Sequence, residues 1–140
     1  MENKQTVTVI GAGLAGSEAA WQIAQAGYSV RLFEMKPQKF SPAHKSAGFA
    51  ELICSNSLKA ARIDSAAGLL KEEMRRMDSL LVACADKTAV PAGGALAVDR
   101  DRFSELVTKA ITEHSNIEVM HGEVTEICLL YTSPSPRDTE

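Results

Sequence analysis

A β-branched run, Thr6-Val7-Thr8-Val9-Ile10, passes straight into Gly11-Ala12-Gly13-Leu14-Ala15-Gly16 and then into a stretch of small helix-forming residues. No other feature constrains the fold as much, because a strand that turns on glycines into a helix opens a β-α-β unit. The first run carries too little polarity for an exposed strand and is expected to be a central parallel strand, buried on both faces. A helix is predicted over residues 14–26, where Ala15, Ala19, Ala20, Ile23 and Ala24 allow a close approach to a sheet and Gly27 closes the last turn. Ser29-Val30-Arg31-Leu32-Phe33 is the returning strand, reached by a right-handed crossover. In this setting Gly11 permits the tight turn, Gly13 lets the backbone approach a pyrophosphate, and Gly16 lets helix and strand pack closely. Phosphates then meet the unpaired N–H groups and positive dipole end of the helix. Glu34 follows Gly11 at roughly the 20-residue distance of the acid that holds a ribose hydroxyl pair. A carboxylate there repels a 2′-phosphate, so the site suits FAD or NAD better than NADP; spacing does not choose between the two.

The remaining chain continues an α/β pattern. Residues 37–48 hold two prolines and no period, and are expected to form a loop. A second helix is predicted over residues 64–83, with Leu69, Leu70, Met74, Met77, Leu80, Leu81 and Cys84 recurring at three and four and Asp64 or Ser65 as its cap. Residues 90–96 read as a turn-rich connection. A third helix over residues 101–114 presents Phe103, Leu106, Val107, Ala110 and Ile111 on one face, and residues 117–120 and 123–127 read as strands about a His121-Gly122 turn. With 140 residues, 45% of them hydrophobic, the chain suffices for one domain with a sizeable core. A net charge of -3 excludes a global basic field, so any RNA contact must come from a local patch. The start lacks the pattern of a secretory signal, and no apolar run approaches the roughly 18 residues of a membrane span. A soluble, cytoplasmic protein is the expectation.

Cys54, Cys84 and Cys128 are too few and too widely spaced for a disulfide framework or a Cys-x-x-Cys pair. Cys84 continues the apolar stripe of the second predicted helix and reads as packing. Cys54 has two readings: a buried small hydrophobe beside Leu52 and Ile53, or a thiol activated by Ser55, Asn56 and Ser57 at a helix start. Glu51 either bonds it or faces water. His44 with Lys36, Lys39 and Lys45 makes a locally basic loop, either a solvated surface or a contact for phosphate or carboxylate groups. Arg100 and Arg102 either approach a flavin or cap the third helix, and Asn56 and Ser57 either bond a flavin edge or cap a helix. His114 and His121 lack a metal-like constellation, so no metal site is expected.

The stretch from Thr6 to Ala60, above all Phe49-Ala50-Glu51-Leu52-Ile53-Cys54-Ser55-Asn56-Ser57-Leu58-Lys59-Ala60, together with Val90-Pro91-Ala92-Gly93-Gly94-Ala95-Leu96-Ala97-Val98-Asp99-Arg100-Asp101-Arg102-Phe103, resembles the N-terminal part of the folate- and FAD-dependent tRNA (uracil-5-)-methyltransferase family (TrmFO). The resemblance covers about residues 7–127, and the family's chains are much longer. It implies an α/β, Rossmann-like FAD-binding domain of the two-dinucleotide flavoprotein type, truncated, with a parallel sheet core. It also implies FAD held by Gly11, Ala12, Gly13, Leu14, Ala15, Gly16 and Glu34, with methylenetetrahydrofolate as one-carbon donor, NAD(P)H as reductant and a T-loop uridine of tRNA as acceptor. Uracil C5 becomes nucleophilic once a thiolate adds at C6, and reduced flavin supplies the electrons that turn the methylene into a methyl. In the family the cysteine at the position of Cys54 is catalytic; a second, in a part of the chain not present here, is the nucleophile. Cys54 is then assigned to assisting proton removal from C5 or protecting the other thiol. The alternatives are a related FAD-dependent tRNA wobble-uridine modifying enzyme, a generic FAD oxidoreductase, or a non-catalytic dinucleotide-binding fragment.

The family pattern stops at Ile127. The closing Cys128-Leu129-Leu130-Tyr131-Thr132-Ser133-Pro134-Ser135-Pro136-Arg137-Asp138 resembles the translation of a transposase adapter used in DNA library preparation. Residues 1–127 are therefore expected to be the N-terminal part of a FAD-binding domain, inactive alone, and residues 128–140 a non-native, disordered tail.

Overall fold

The computed structural model describes residues 5–127; the expectation for the tail falls outside them. Strand β1 (Thr6–Ile10), helix α1 (Leu14–Gln25) and strand β2 (Ser29–Glu34) form the β-α-β unit. Strand β3 (Ser57–Ala60), helices α2 (Ala66–Arg76) and α3 (Leu80–Lys87), strands β4 (Ala89–Val90) and β5 (Ala95–Val98), helix α4 (Arg100–Glu113) and strand β6 (Ile117–His121) follow.

The parallel sheet has the order β1-β2-β6, so β2 is central and β1 is flanked on one side only among the described strands. Register aligns Val7, Val30 and Ile117 in one row and Val9, Leu32 and Val119 in another. These rows face inward, where Val30 and Leu32 are almost wholly buried, each worth about 1.5–3 kcal/mol. The alternate row of Thr8, Arg31 and Glu118 faces water, and Ile10 is 50% exposed. The expectation of a first strand buried on both faces is thus corrected: only one face of the sheet is covered by described residues, and a β-branched run suits a half-buried strand as well as a central one.

Helix α1 buries Ser17, Ala20 and Ala24, spaced at three and four, while Ala15 and Ala19 face outward. Gly27 follows its end at φ 91°, the left-handed cap that a residue without a Cβ supplies. The single helix expected over residues 64–83 is two. Asp78 takes φ 57°, and the Ser79 hydroxyl accepts from Val82 N–H at 3.2 Å to start α3 afresh. Glu18 of α1 holds that new start, accepting from the Leu80 N–H at 3.0 Å and contacting the Ser79 hydroxyl. Because α2 ends there, its stripe does not reach the core: Leu69, Leu70 and Met77 are exposed and only Gly68 is buried.

A second, antiparallel sheet of order β3-β5-β4 was not anticipated. The turn-rich residues 90–96 form its hairpin, with Gly93 at φ 61°, and Ala61 N–H donates to the Gly94 carbonyl at 2.9 Å. Residues 123–127 are not a strand, which corrects the reading of a second strand after Gly122. Helix α4 runs as expected, capped by the Asp99 carboxylate at the Arg102 N–H, and Phe103, Val107 and Ile111 are completely buried in a core that joins both sheets. No helix among the described residues is long and apolar enough to cross a membrane.

Candidate functional site

The β1–α1 turn opens onto a cleft of about 320 Å³ lined by Gly11, Ala12, Gly13, Glu34, Lys36 and Glu51, among others. Gly11 adopts φ 93° and its N–H donates to the Phe33 carbonyl at 2.7 Å, which clamps the turn to the end of β2. Gly13 precedes α1 without any side-chain cap, so the first-turn N–H groups of the helix stay open for an anion. A Cβ at Gly13 would meet nothing within 4 Å, so backbone is exposed to an approaching group. At Gly16 it would sit 1.7 Å from the Gly11 carbonyl oxygen. The two glycines therefore divide the labour, Gly13 toward the cleft and Gly16 toward the strand. Leu14 faces a different, apolar groove beside α2 and β3, and neither Ala15 nor Gly16 lines the cleft.

Glu34 is 6% exposed, and its carboxylate accepts from Ala12 N–H at 2.8 Å and Lys36 N–H at 3.0 Å. Each oxygen keeps a free lone pair for a hydroxyl donor. The donor set, an uncapped helix start plus a carboxylate at the end of the next strand, fits the pyrophosphate and ribose diol of a dinucleotide.

The far wall of the cleft was not legible in sequence. Lys36 is buried, and its ammonium donates to the Ser46 carbonyl at 2.9 Å, the Gly48 carbonyl at 2.8 Å and Glu51 Oε2 at 3.3 Å. Lys36 is thus not part of a solvent-facing basic loop. Lys39 pairs with Glu123 at 2.8 Å and the His44 ring meets the Ser41 hydroxyl, leaving Lys45 as the exposed remainder of that cluster. Glu51 neither bonds Cys54 nor faces water freely: its Oε1 accepts from Lys45 N–H at 3.0 Å and Ser46 N–H at 2.9 Å. Although burial alone would raise its pKa, those two amides and the Lys36 ammonium hold the carboxyl below its ordinary value of 4.5. A depressed carboxylate contributes stability above its unfolded pKa that is lost as pH falls through the folded one. In an NMR titration the Lys45 and Ser46 amide shifts are expected to move together with a midpoint below 4.5; a midpoint at or above it would show the contacts are not made.

Cys54 is exposed, on a bend between the Glu51 segment and β3, and does not line the cleft. No helix starts at Ser55, Asn56 or Ser57, which correct to a strand entry. The Asn56 side-chain amide donates to the Val98 carbonyl at 3.0 Å, tying the bend to β5. Arg100 and Arg102 are exposed on the first turn of α4, whose cap is Asp99. Cys84 is buried as expected; burial pushes its thiol up, Lys87 opposes and Glu18 adds to the rise. His114 packs edge-on against Trp21, and His121 Nδ1 donates to the Lys36 carbonyl at 2.8 Å. No cluster of metal-ligating side chains occurs among the described residues.

A family model described as glucose inhibited division protein A matches residues 6–132. The methylenetetrahydrofolate–tRNA-(uracil-5-)-methyltransferase TrmFO of Pelotomaculum thermopropionicum is 63% identical over 123 residues, covering 88% of this chain and 28% of that protein. The protein of the same name from Lactobacillus johnsonii is 55% identical over 140 residues, covering 96% and 32% respectively, and that from Acetivibrio thermocellus 61% identical over 121 residues, covering 86% and 28%. The chain thus spans 28% to 32% of the length of these relatives.

Proposed function

The chain belongs to the glucose inhibited division protein A family, and from that membership we propose that it is the N-terminal, FAD-binding part of a methylenetetrahydrofolate-dependent tRNA (uracil-5-)-methyltransferase. The carrying observation is the glycine cradle: an open Gly13, an uncapped α1 and a buried Glu34 carboxylate face one cleft, in a chain 55% to 63% identical to proteins named for that reaction. Gly13 presents backbone to the pyrophosphate, Gly11 and Ala12 shape the turn with their N–H groups held by Phe33 and Glu34, and Leu14 and Ala15 contribute only their first-turn N–H groups. Gly16 acts by letting the helix start close to β1. Glu34 holds the ribose diol and excludes a 2′-phosphate. When bound, reduced FAD supplies the electrons that convert the methylene carried by folate into a methyl, with NAD(P)H as their source.

Cys54 is the chemical group this chain contributes. It is assigned to removing the proton from uracil C5 after the one-carbon unit is attached, or to guarding the nucleophilic thiol that lies further along the longer protein. Its exposed bend is compatible with reaching a T-loop uridine of tRNA. The 140-residue chain is expected to be inactive alone, and the longer protein to work in the cytoplasm. The test is transfer of label from methylenetetrahydrofolate to tRNA lacking the T-loop methyl, using the longer protein with FAD and NADH or NADPH. Label at the T-loop uridine is the expected result. A flavin-bearing protein that labels nothing there overturns the substrate assignment while leaving FAD in place.

A further inference from the structure

Lys36 is the one lysine that the described residues bury, and the chemistry proposed above makes no use of it. An ammonium has three protons to donate, and all three are engaged by Ser46, Gly48 and Glu51. It therefore has no donor left for a phosphate. What it does instead is join two walls. Its own N–H donates to Glu34 and its carbonyl accepts from His121, so its backbone belongs to the β2 end of the cleft. Its side chain reaches residues 46–51, of which Glu51 lines the cleft. That segment is also fixed elsewhere: Ala50 N–H donates to the Ala12 carbonyl at 2.9 Å, Phe49 N–H to Thr108 Oγ1 at 2.9 Å, and Ser104 Oγ to the Phe49 carbonyl at 2.6 Å. The Lys36 ammonium ties this segment to the end of β2, and Glu51 braces the segment internally by accepting from the Lys45 and Ser46 amides.

We propose that Lys36 is a positioning residue for the dinucleotide, its buried ammonium holding residues 46–51 against the end of β2 so that Glu34, itself braced by the Ala12 amide, meets the ligand already aligned. Through Glu51 the same bridge sets the start of the bend that carries Cys54. The inference rests on the FAD reading of the cleft. A buried charge whose partner is removed leaves the other uncompensated, so the loss of Lys36 acts on the wall and not on a ligand contact.

The test compares K36M, K36R and E51Q in the longer protein, with the FAD dissociation constant from fluorescence quenching and the rate of tryptic cleavage after Lys39 and Lys45 in the flavin-free state. K36M is expected to weaken FAD binding about tenfold or more and E51Q about threefold, while K36R, which keeps the charge and its donors, returns to within about threefold of the parent. Cleavage speeds up in the order parent, E51Q, K36M. A folded K36M that binds FAD within about twofold of the parent, or a K36R no better than K36M, overturns the proposal. Should K36M fail to fold, E51Q decides: unchanged affinity and unchanged cleavage overturn it. A parent that binds no FAD removes the reading of the cleft and this inference with it, whereas a parent that binds FAD beside an unaffected K36M removes this inference alone.

Discussion

Alanine at position 16 is expected to lower the thermal unfolding midpoint by roughly 10 °C, the consequence of a cost of about 3 kcal/mol in a chain of this size. The added Cβ would stand 1.7 Å from the Gly11 carbonyl oxygen, 2.9 Å from its carbon and 3.6 Å from Val9 Cγ1. The first two are backbone atoms, so no rotamer change relieves the clash. Shifting Gly11 is costly too, because its φ of 93° and its 2.7 Å bond to Phe33 fix it against β2. The helix must then move away from the strand, and the Ser17, Ala20 and Ala24 contacts loosen with it. Gly13→Ala is the contrast. With nothing within 4 Å of the new methyl, its midpoint should stay within about 2 °C of the parent, while FAD affinity falls because the methyl stands where the pyrophosphate approaches. Thermal melts and flavin titrations of the two variants separate a packing glycine from a ligand glycine. If Gly16→Ala melts with the parent, the close approach of α1 to β1 is not as described.

Cys54→Ala carries the second large effect: in the longer protein, tRNA methylation should slow about a hundredfold or more, the scale of losing a positioned proton-transfer group. Stability should change little, since the thiol is exposed and the bend is tied down by Asn56 and not by Cys54. Cys84→Ala reverses the pattern. That side chain is 5% exposed within the shared core, so its removal costs about 1 kcal/mol and leaves the rate per folded molecule unchanged. Measured together, initial rates and melting midpoints distinguish a chemical thiol from a packing one. Methylation by Cys54→Ala at the parent rate would end the assignment of Cys54 to the reaction.

What could be read before any coordinates was whatever is decided between near neighbours along the chain. The glycine turn, the apolar stripe of α4 and the parallel return of β2 all follow from sterics and periodicity within one or two elements, whereas the face of α1 was read only in part, since Ser17 takes the buried place expected of Ala15 and Ala19. The tight turn at Gly11 and the close packing at Gly16 were legible for the same reason. Other features depend on partners far away in sequence. The break between α2 and α3 had a local signal, Asp78-Ser79 before an apolar run, yet an unbroken stripe of apolar residues argued the other way. Glu18, some sixty residues earlier, supplies the cap that settles it. The second sheet joins strands of two to four residues, too short to show a period of two.

By itself, then, the sequence determined a dinucleotide-type β-α-β unit and the acid that faces it, because glycine geometry and β-branching act on the residue that carries them. Only the tertiary structure decided that β1 has a neighbour on one side among the described strands, that Cys54 stands on an exposed bend and not at a helix start, and that Lys36 faces inward. The last of these depends on three acceptors supplied by residues 46–51. A lysine in a polar loop reads as solvated until the chain folds back to enclose it, since burying an ammonium is tolerable only where its partners have been brought together.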